Sequence, residues 1–136
     1  MKIKTGFLVA YDYEMLKKAI PCIYNASDII CLCIDENRIT WGGNKFNIEF
    51  SFFDWLNDFD IDKKIVVYED KFYNANLSPM QMETAQRNKM AEYLGLDGWH
   101  IQLDVDEYFI NFDQFVQVLK KIKSKSCFSF LLFQPS

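Results

Sequence analysis

The chain predicts an α/β fold, a mostly parallel sheet flanked by helices, on two observations. Apolar runs of strand length alternate with stretches of helical period along the whole sequence, the order that builds βαβ units with right-handed crossovers. Three of the first four runs are nearly continuous in apolar residues rather than alternating, as strands covered on both faces must be.

The first strand is GFLVAY, residues 6–11. In EMLKKAIPCIY, Leu16, Ile20 and Ile23 recur at the helical period. Pro21 removes one internal hydrogen bond there and should kink or restart the helix. The second strand is DIICLCID, residues 28–35. Residues 39–63 depart from the pattern: Gly42 and Gly43 mark a turn, and Phe50, Phe53, Trp55, Leu56 and Phe59 suggest a helix whose aromatic stripe belongs to the core. KIVVYE, residues 64–69, is the third strand. Ser78, Pro79 and Gln81 then form a helix start, with serine as cap, proline in the first turn and glutamine reaching back. That helix should close at Gly95. In the fourth strand, WHIQLD (99–104), Trp99, Ile101 and Leu103 share one face. His100, Gln102 and Asp104 share the other, which must meet polar partners or lie near an edge. Asn111 with Gln114 opens a helix striped by Phe112, Phe115, Val116, Leu119 and Ile122, and CFSFLLF, residues 127–133, reads as a fifth strand. No repeat or linker divides the sequence, so residues 1–136 read as one domain.

Composition narrows the function. At 136 residues and 50% hydrophobic content one sizeable core can be buried. A net charge of -4 leaves no basic excess to displace counterions from nucleic acid. Lys120, Lys121, Lys123 and Lys125 cluster at a helix end, where cations complement the dipole. The apolar run from Phe7 to Tyr11 is too short for a signal peptide core or a membrane span, and a cytoplasmic protein is the simplest expectation. Cys22, Cys31, Cys33 and Cys127 show no CxxC pair and only one histidine accompanies them. Cys31 and Cys33 therefore read as packed thiols rather than zinc ligands.

The acids are the informative residues. Asp12 follows the first strand, Asp35 and Glu36 end the second, Glu69 and Asp70 the third, Asp104 and Asp106 the fourth. Open α/β sheets bind ligands beyond these carboxyl ends. If extended geometry persists through DVD, Asp104 and Asp106 point to one side about 6–7 Å apart, while Glu107 points away. Their repulsion is roughly 2.5 kcal/mol at an effective dielectric near 20. A divalent cation would reverse it, and hard oxygen ligands suit Mg²⁺ or Mn²⁺.

The stretches FLVAY, MLKKAIPCIY, IICLCIDEN and above all QRNKMAEYLGLDGWHIQLDVDEYF resemble the family 2 nucleotide-sugar glycosyltransferases of the GT-A fold, which is Rossmann-like. Arg-Asn on a helix, a short turn and an apolar strand delivering DxD carry the likeness, which spans about residues 5–133. Residues 39–63 are longer and more aromatic than the family pattern. The resemblance implies that Tyr11 lines or stacks on the donor's base and that Asp35 bonds its imide edge. Arg87 would help fix the nucleotide, Asp104 would approach ribose or metal, and Asp106 would ligate the metal bridging the diphosphate. It implies a UDP-sugar as donor, Mn²⁺ or Mg²⁺ as cofactor, and a carbohydrate or lipid-linked acceptor. The general base of an inverting transferase is expected well downstream of DxD. The chain therefore reads either as the N-terminal, donor-binding portion of a longer enzyme, the preferred expectation, with uncovered apolar surface favouring self-association, or as a reduced relative of the family. A noncatalytic α/β interaction module, docking through the aromatic segment 46–59, is the alternative. A phosphatase of the haloacid dehalogenase type fits less well, because its DxD follows the first strand. His100, without a second histidine, is expected to be a partnered strand residue.

Overall fold

The computed structural model describes residues 2–95, 97–107 and 109–122. The expected fifth strand, residues 127–133, lies outside them, as do Cys127, Lys123 and Lys125. Four strands, β1 (Ile3–Val9), β2 (Ile29–Asp35), β3 (Ile65–Asp70) and β4 (Trp99–Asp104), form one sheet in the order β3-β2-β1-β4. Every pair is parallel. The connections carry helices α1 (Leu16–Ile23, entered through a 3-10 turn at Tyr13–Met15), α2 (Phe50–Phe59) and α3 (Pro79–Leu94), and α4 (Phe112–Lys121) follows β4. The α/β expectation with a parallel sheet is met.

Alternation along β1 sorts the layers. Ile3, Phe7 and Val9 join a core with Leu16, Ile20 and Ile23 of α1, Phe52 and Leu56 of α2, and Phe112, Val116 and Leu119 of α4. Each such large apolar side chain contributes on the order of 1.5–3 kcal/mol when fully buried. Leu8, Cys31 and Cys33 face the other way, into a smaller cluster with Met90 of α3. Gly6 permits that approach: a Cβ there would stand 2.6 Å from the Met90 sulfur.

Each helix end has a local cause. At α3, the Ser78 side chain accepts from the Gln81 N–H while the Gln81 side chain accepts from the Ser78 N–H, with Pro79 following. That is the expected capping box, and Gly95, at φ 87°, closes the helix. Asn111 caps α4 through the Gln114 N–H at 3.0 Å. Helix α1 runs through Pro21 to Ile23. The proline sits on the exposed side near the helix end, so the expected break does not divide it.

The two ends of strand β1 and the cover of strand β3 depart from expectation, for physical reasons. Strand β1 starts at Ile3 because its polar residues are paired. The buried Lys4 ammonium donates to the Leu94 carbonyl at 2.5 Å and to Asp97 at 2.6 Å, and the Thr5 hydroxyl meets that of Ser27 at 2.8 Å. The strand ends at Val9, which puts Tyr11 in the following turn. Strand β3, although continuous in apolar residues, is an edge of the sheet among the described residues and has only partial cover.

The aromatic segment is core. Phe52 is fully buried against Tyr13, their ring centroids 5.1 Å apart, and Trp55 stacks on Phe59 at 5.1 Å. Of the stripe, Phe50 alone is largely exposed, so helix α2 turns its aromatic face inward rather than outward for docking. No helix among the described residues is long and apolar enough to cross a membrane.

Candidate functional site

The sheet order reverses between β1 and β4: from β1 the chain adds β2 and β3 on one side, then places β4 on the other. Loops diverge at such a point and leave a crevice beyond the strand ends. A cleft of about 710 Å³ opens there, and Tyr11, Asp12, Asp35, Trp41, Asp104 and Asp106 all line it. Four of the five sequence-derived candidates thus share one cavity. Arg87 is the fifth and stands behind the wall.

Asp104 ends β4, and the chain then turns instead of continuing extended. The Glu107 N–H donates to the Asp104 carbonyl at 3.0 Å, and the Glu107 carboxylate accepts the Asp104 N–H at 3.1 Å. This reciprocal pair folds Glu107 back, so the expectation that it points away from DxD is corrected. Aspartate at the first position of a turn was the available signal. Among the described residues, Asp104, Asp106 and Glu107 form a cluster whose carboxylate oxygens, one from each, lie within 4.8 Å of one another. Three hard oxygen donors at this separation fit a divalent cation such as Mg²⁺ or Mn²⁺, with the remaining positions left to water or a ligand. Val105, between them, is buried and anchors the turn in the core.

The electrostatics follow from this crowding. Burial first, then repulsion from Asp106 and Asp104, lifts the Asp12 carboxyl above the ordinary carboxylate range. Burial also lifts Glu107, reinforced by its hydrogen bond and repulsion with Asp104 and by the Asp106 charge. Acids from two strand ends therefore press on one another across the switch point.

Arg87, on α3, is engaged three ways. Its guanidinium donates to Glu83 at 3.2 Å, to Gln102 at 3.3 Å and to Asp104 at 3.1 Å. It fixes the orientation of Asp104 and neutralises some of the acid charge from behind. Gln102 and His100 show how the polar face of β4 is met: His100 Nε2 lies 2.6 Å from the Gly95 carbonyl, so the histidine is a partnered strand residue.

Asp35 is buried, and its two oxygens accept four backbone N–H groups. Oδ2 takes Asn37 and Ile39 at 3.0 and 3.1 Å, while Oδ1 takes Phe72 and Tyr73 at 2.8 and 2.9 Å. One carboxylate thus ties the loop after β2 to the loop after β3. The lone pairs that the resemblance assigns to a base's imide edge are occupied by these donors. Tyr11, in contrast, is 72% exposed at the cleft rim and free to cover a ligand. Glu69 pairs with Arg38 at 2.6 Å, and Asp70 accepts from Tyr68 at 3.0 Å, so the acids ending β3 serve the sheet edge rather than the cleft.

A second wall was not legible in sequence. Residues 38–46 form a hairpin bridged at Ile39 and Lys45, and it brings Trp41 into the cleft. Gly42 and Gly43 announce the turn, but nothing local says where it folds. No protein-family model matches this chain, and no curated protein matches it. The fold and cleft define an α/β domain with an acidic crevice at the switch point of a parallel sheet.

Proposed function

We propose that this chain binds a nucleotide-sugar through a divalent cation and belongs to a glycosyltransferase resembling family 2. One observation carries the reading: three carboxylates converge beside Asp12 at the switch point, and two of them, Asp104 and Asp106, line the cleft that Tyr11 also lines. A cation there offsets their repulsion, and a diphosphate supplies the ligands that carboxylates do not. Asp106 and Asp104 are the primary ligands, with Glu107 added to them. Arg87 positions Asp104, and Asp35 shapes the cleft by holding two loops. Mn²⁺ or Mg²⁺ would supply Lewis-acid stabilisation of the nucleoside diphosphate as it leaves. Tyr11 at the rim covers the bound donor, and the acceptor, carbohydrate or lipid-linked, approaches from the same open side.

Calorimetric titration with UDP tests this. Binding should require Mn²⁺ and fall at least tenfold in Asp106→Ala, the loss of about 1.4 kcal/mol or more. UDP binding that is indifferent to metal and to Asp106 would remove the proposal.

A further inference from the structure

Trp41 is held in the cleft by a hydrogen bond as well as by packing. Its indole, partly buried against the cluster that holds Cys31, Cys33 and Met90, donates its N–H to Gln86 Oε1 at 2.9 Å. Gln86 is itself 4% exposed, and its amide nitrogen donates to the Cys33 carbonyl at 3.2 Å. The ring is thereby referred to the central strand β2 through a single buried side chain. Its backbone is equally constrained. The hairpin is closed by the Thr40 N–H on the Asn44 carbonyl at 2.8 Å and the Phe46 N–H on the Arg38 carbonyl at 2.9 Å. The Asp35 carboxylate grips its base at Ile39, and its tip packs beside Tyr73, whose hydroxyl would lie 3.3 Å from a Cβ on Gly43.

Strand order says what such a ring can meet. The acids follow β4 and the hairpin follows β2, on opposite sides of β1. Two inter-strand spacings, roughly 10 Å, separate them. A nucleotide whose phosphates sit at the acids therefore spans that distance with its ribose and presents its flat base to the hairpin. The hairpin side of the cleft offers the apolar side chains of Ile39, Trp41 and Phe46, beside Thr40, Asn44 and Lys45. Aromatic faces bind bases by stacking, with little dependence on which base.

We propose that Trp41 is a base-binding residue on which the ligand's planar base stacks, and that Gln86 is its positioning residue. This rests on the nucleotide-binding reading of the cleft and adds to it the hairpin that departs from the family 2 pattern. It makes base recognition separable from phosphate recognition.

The test compares three probes, UDP with Mn²⁺, inorganic pyrophosphate with Mn²⁺, and uridine alone, on wild type, Trp41→Ala, Trp41→Phe and Gln86→Leu, by calorimetry and tryptophan fluorescence. Trp41→Ala should weaken UDP on the order of tenfold, the size of one base-aromatic stack, and leave pyrophosphate unchanged. Trp41→Phe should restore most of the UDP affinity. Gln86→Leu should weaken UDP several-fold, again sparing pyrophosphate, and uridine should quench wild type more than Trp41→Phe. Equal UDP binding by wild type and Trp41→Ala overturns the inference. So does a parallel fall of UDP and pyrophosphate in Trp41→Ala that Trp41→Phe does not reverse. Uridine quenching that depends on Trp41 without any Mn²⁺-dependent binding sustains this inference while removing the metal reading. No binding of any probe removes both.

Discussion

Single residues carry the sharpest consequences. Gly98 enters β4 with φ 80°, and a Cβ there would stand 2.3 Å from the Lys2 carbonyl oxygen. Both the backbone region and the space exclude a side chain. Gly98→Ala should therefore cost at least about 2 kcal/mol in urea unfolding. Burial pushes the Cys31 and Cys33 thiols up to about 12, so neither is a thiolate at neutral pH. Peptide mapping after brief alkylation of the native protein should find Cys22, which is exposed, modified and these two intact until unfolding. The buried thiols were legible because cysteine alternating with leucine in an apolar strand has few other places to go. Glu107 was not, because a side-chain direction derived for extended backbone fails one residue into a turn. Lys4 was hidden differently: a lysine counts as polar in any periodicity, and only its tertiary partners, the Leu94 carbonyl and the Asp97 carboxylate, make burial tolerable.

At the scale of elements, polar side chains that gather several backbone N–H groups hold the loops in place. Asp35 accepts four, from two loops, at the floor of the cleft. Asp35→Ala should destabilise the protein by about 3–5 kcal/mol, because buried donors are left unmatched. Asp106→Ala should change stability little, since that carboxylate is exposed and repelled rather than bonded. Paired urea titrations of the two variants check this contrast between a scaffold acid and a ligand-binding acid. Helices α3 and α4 were readable to within a residue, because Ser78, Pro79, Gln81 and the Asn111 and Gln114 pair are local signals acting locally. Strand β3 was readable in position but not in cover, since an apolar run does not say whether a further strand lies beside it. The hairpin carrying Trp41 was readable as a turn only. Its position over the cleft is fixed by Gln86 and Asp35, 45 residues later and six residues earlier in the chain respectively.

For the whole molecule, the two ends of the pH scale are governed by different acids. Asp12 and Glu107 have carboxyls raised by the fold, so their charged forms burden the native state fully at neutral pH. That burden lifts as pH falls through their folded values toward the ordinary carboxylate range. Asp60 behaves oppositely. Burial alone would raise it, but the Tyr24 hydroxyl at 2.7 Å and the Lys64 and Ile65 N–H groups at 2.7 and 3.0 Å together hold it below 3.8. Its contribution is present above the unfolded value and is lost as pH falls through the folded one. Melting temperature should therefore rise modestly from neutral to mildly acidic pH and then drop below about pH 4. Saturating Mn²⁺ at neutral pH should raise it as mild acid does, and the two effects should not add, because proton and metal relieve the same repulsion.

The architecture itself, a parallel sheet with acids gathered at its carboxyl ends, was visible in the alternation of apolar runs and in where the aspartates fall. The strand order that brings the ends of β1 and β4 together was supplied by tertiary packing, and the cation reading depends on it. Electron paramagnetic resonance of Mn²⁺ titrated with the protein addresses that reading without any assumption about donor or acceptor. The free-ion signal should fall with one-site stoichiometry, more steeply when UDP is present, and should recover in Asp106→Ala. A free-ion signal that the wild-type protein leaves unchanged, with and without UDP, would contradict the account.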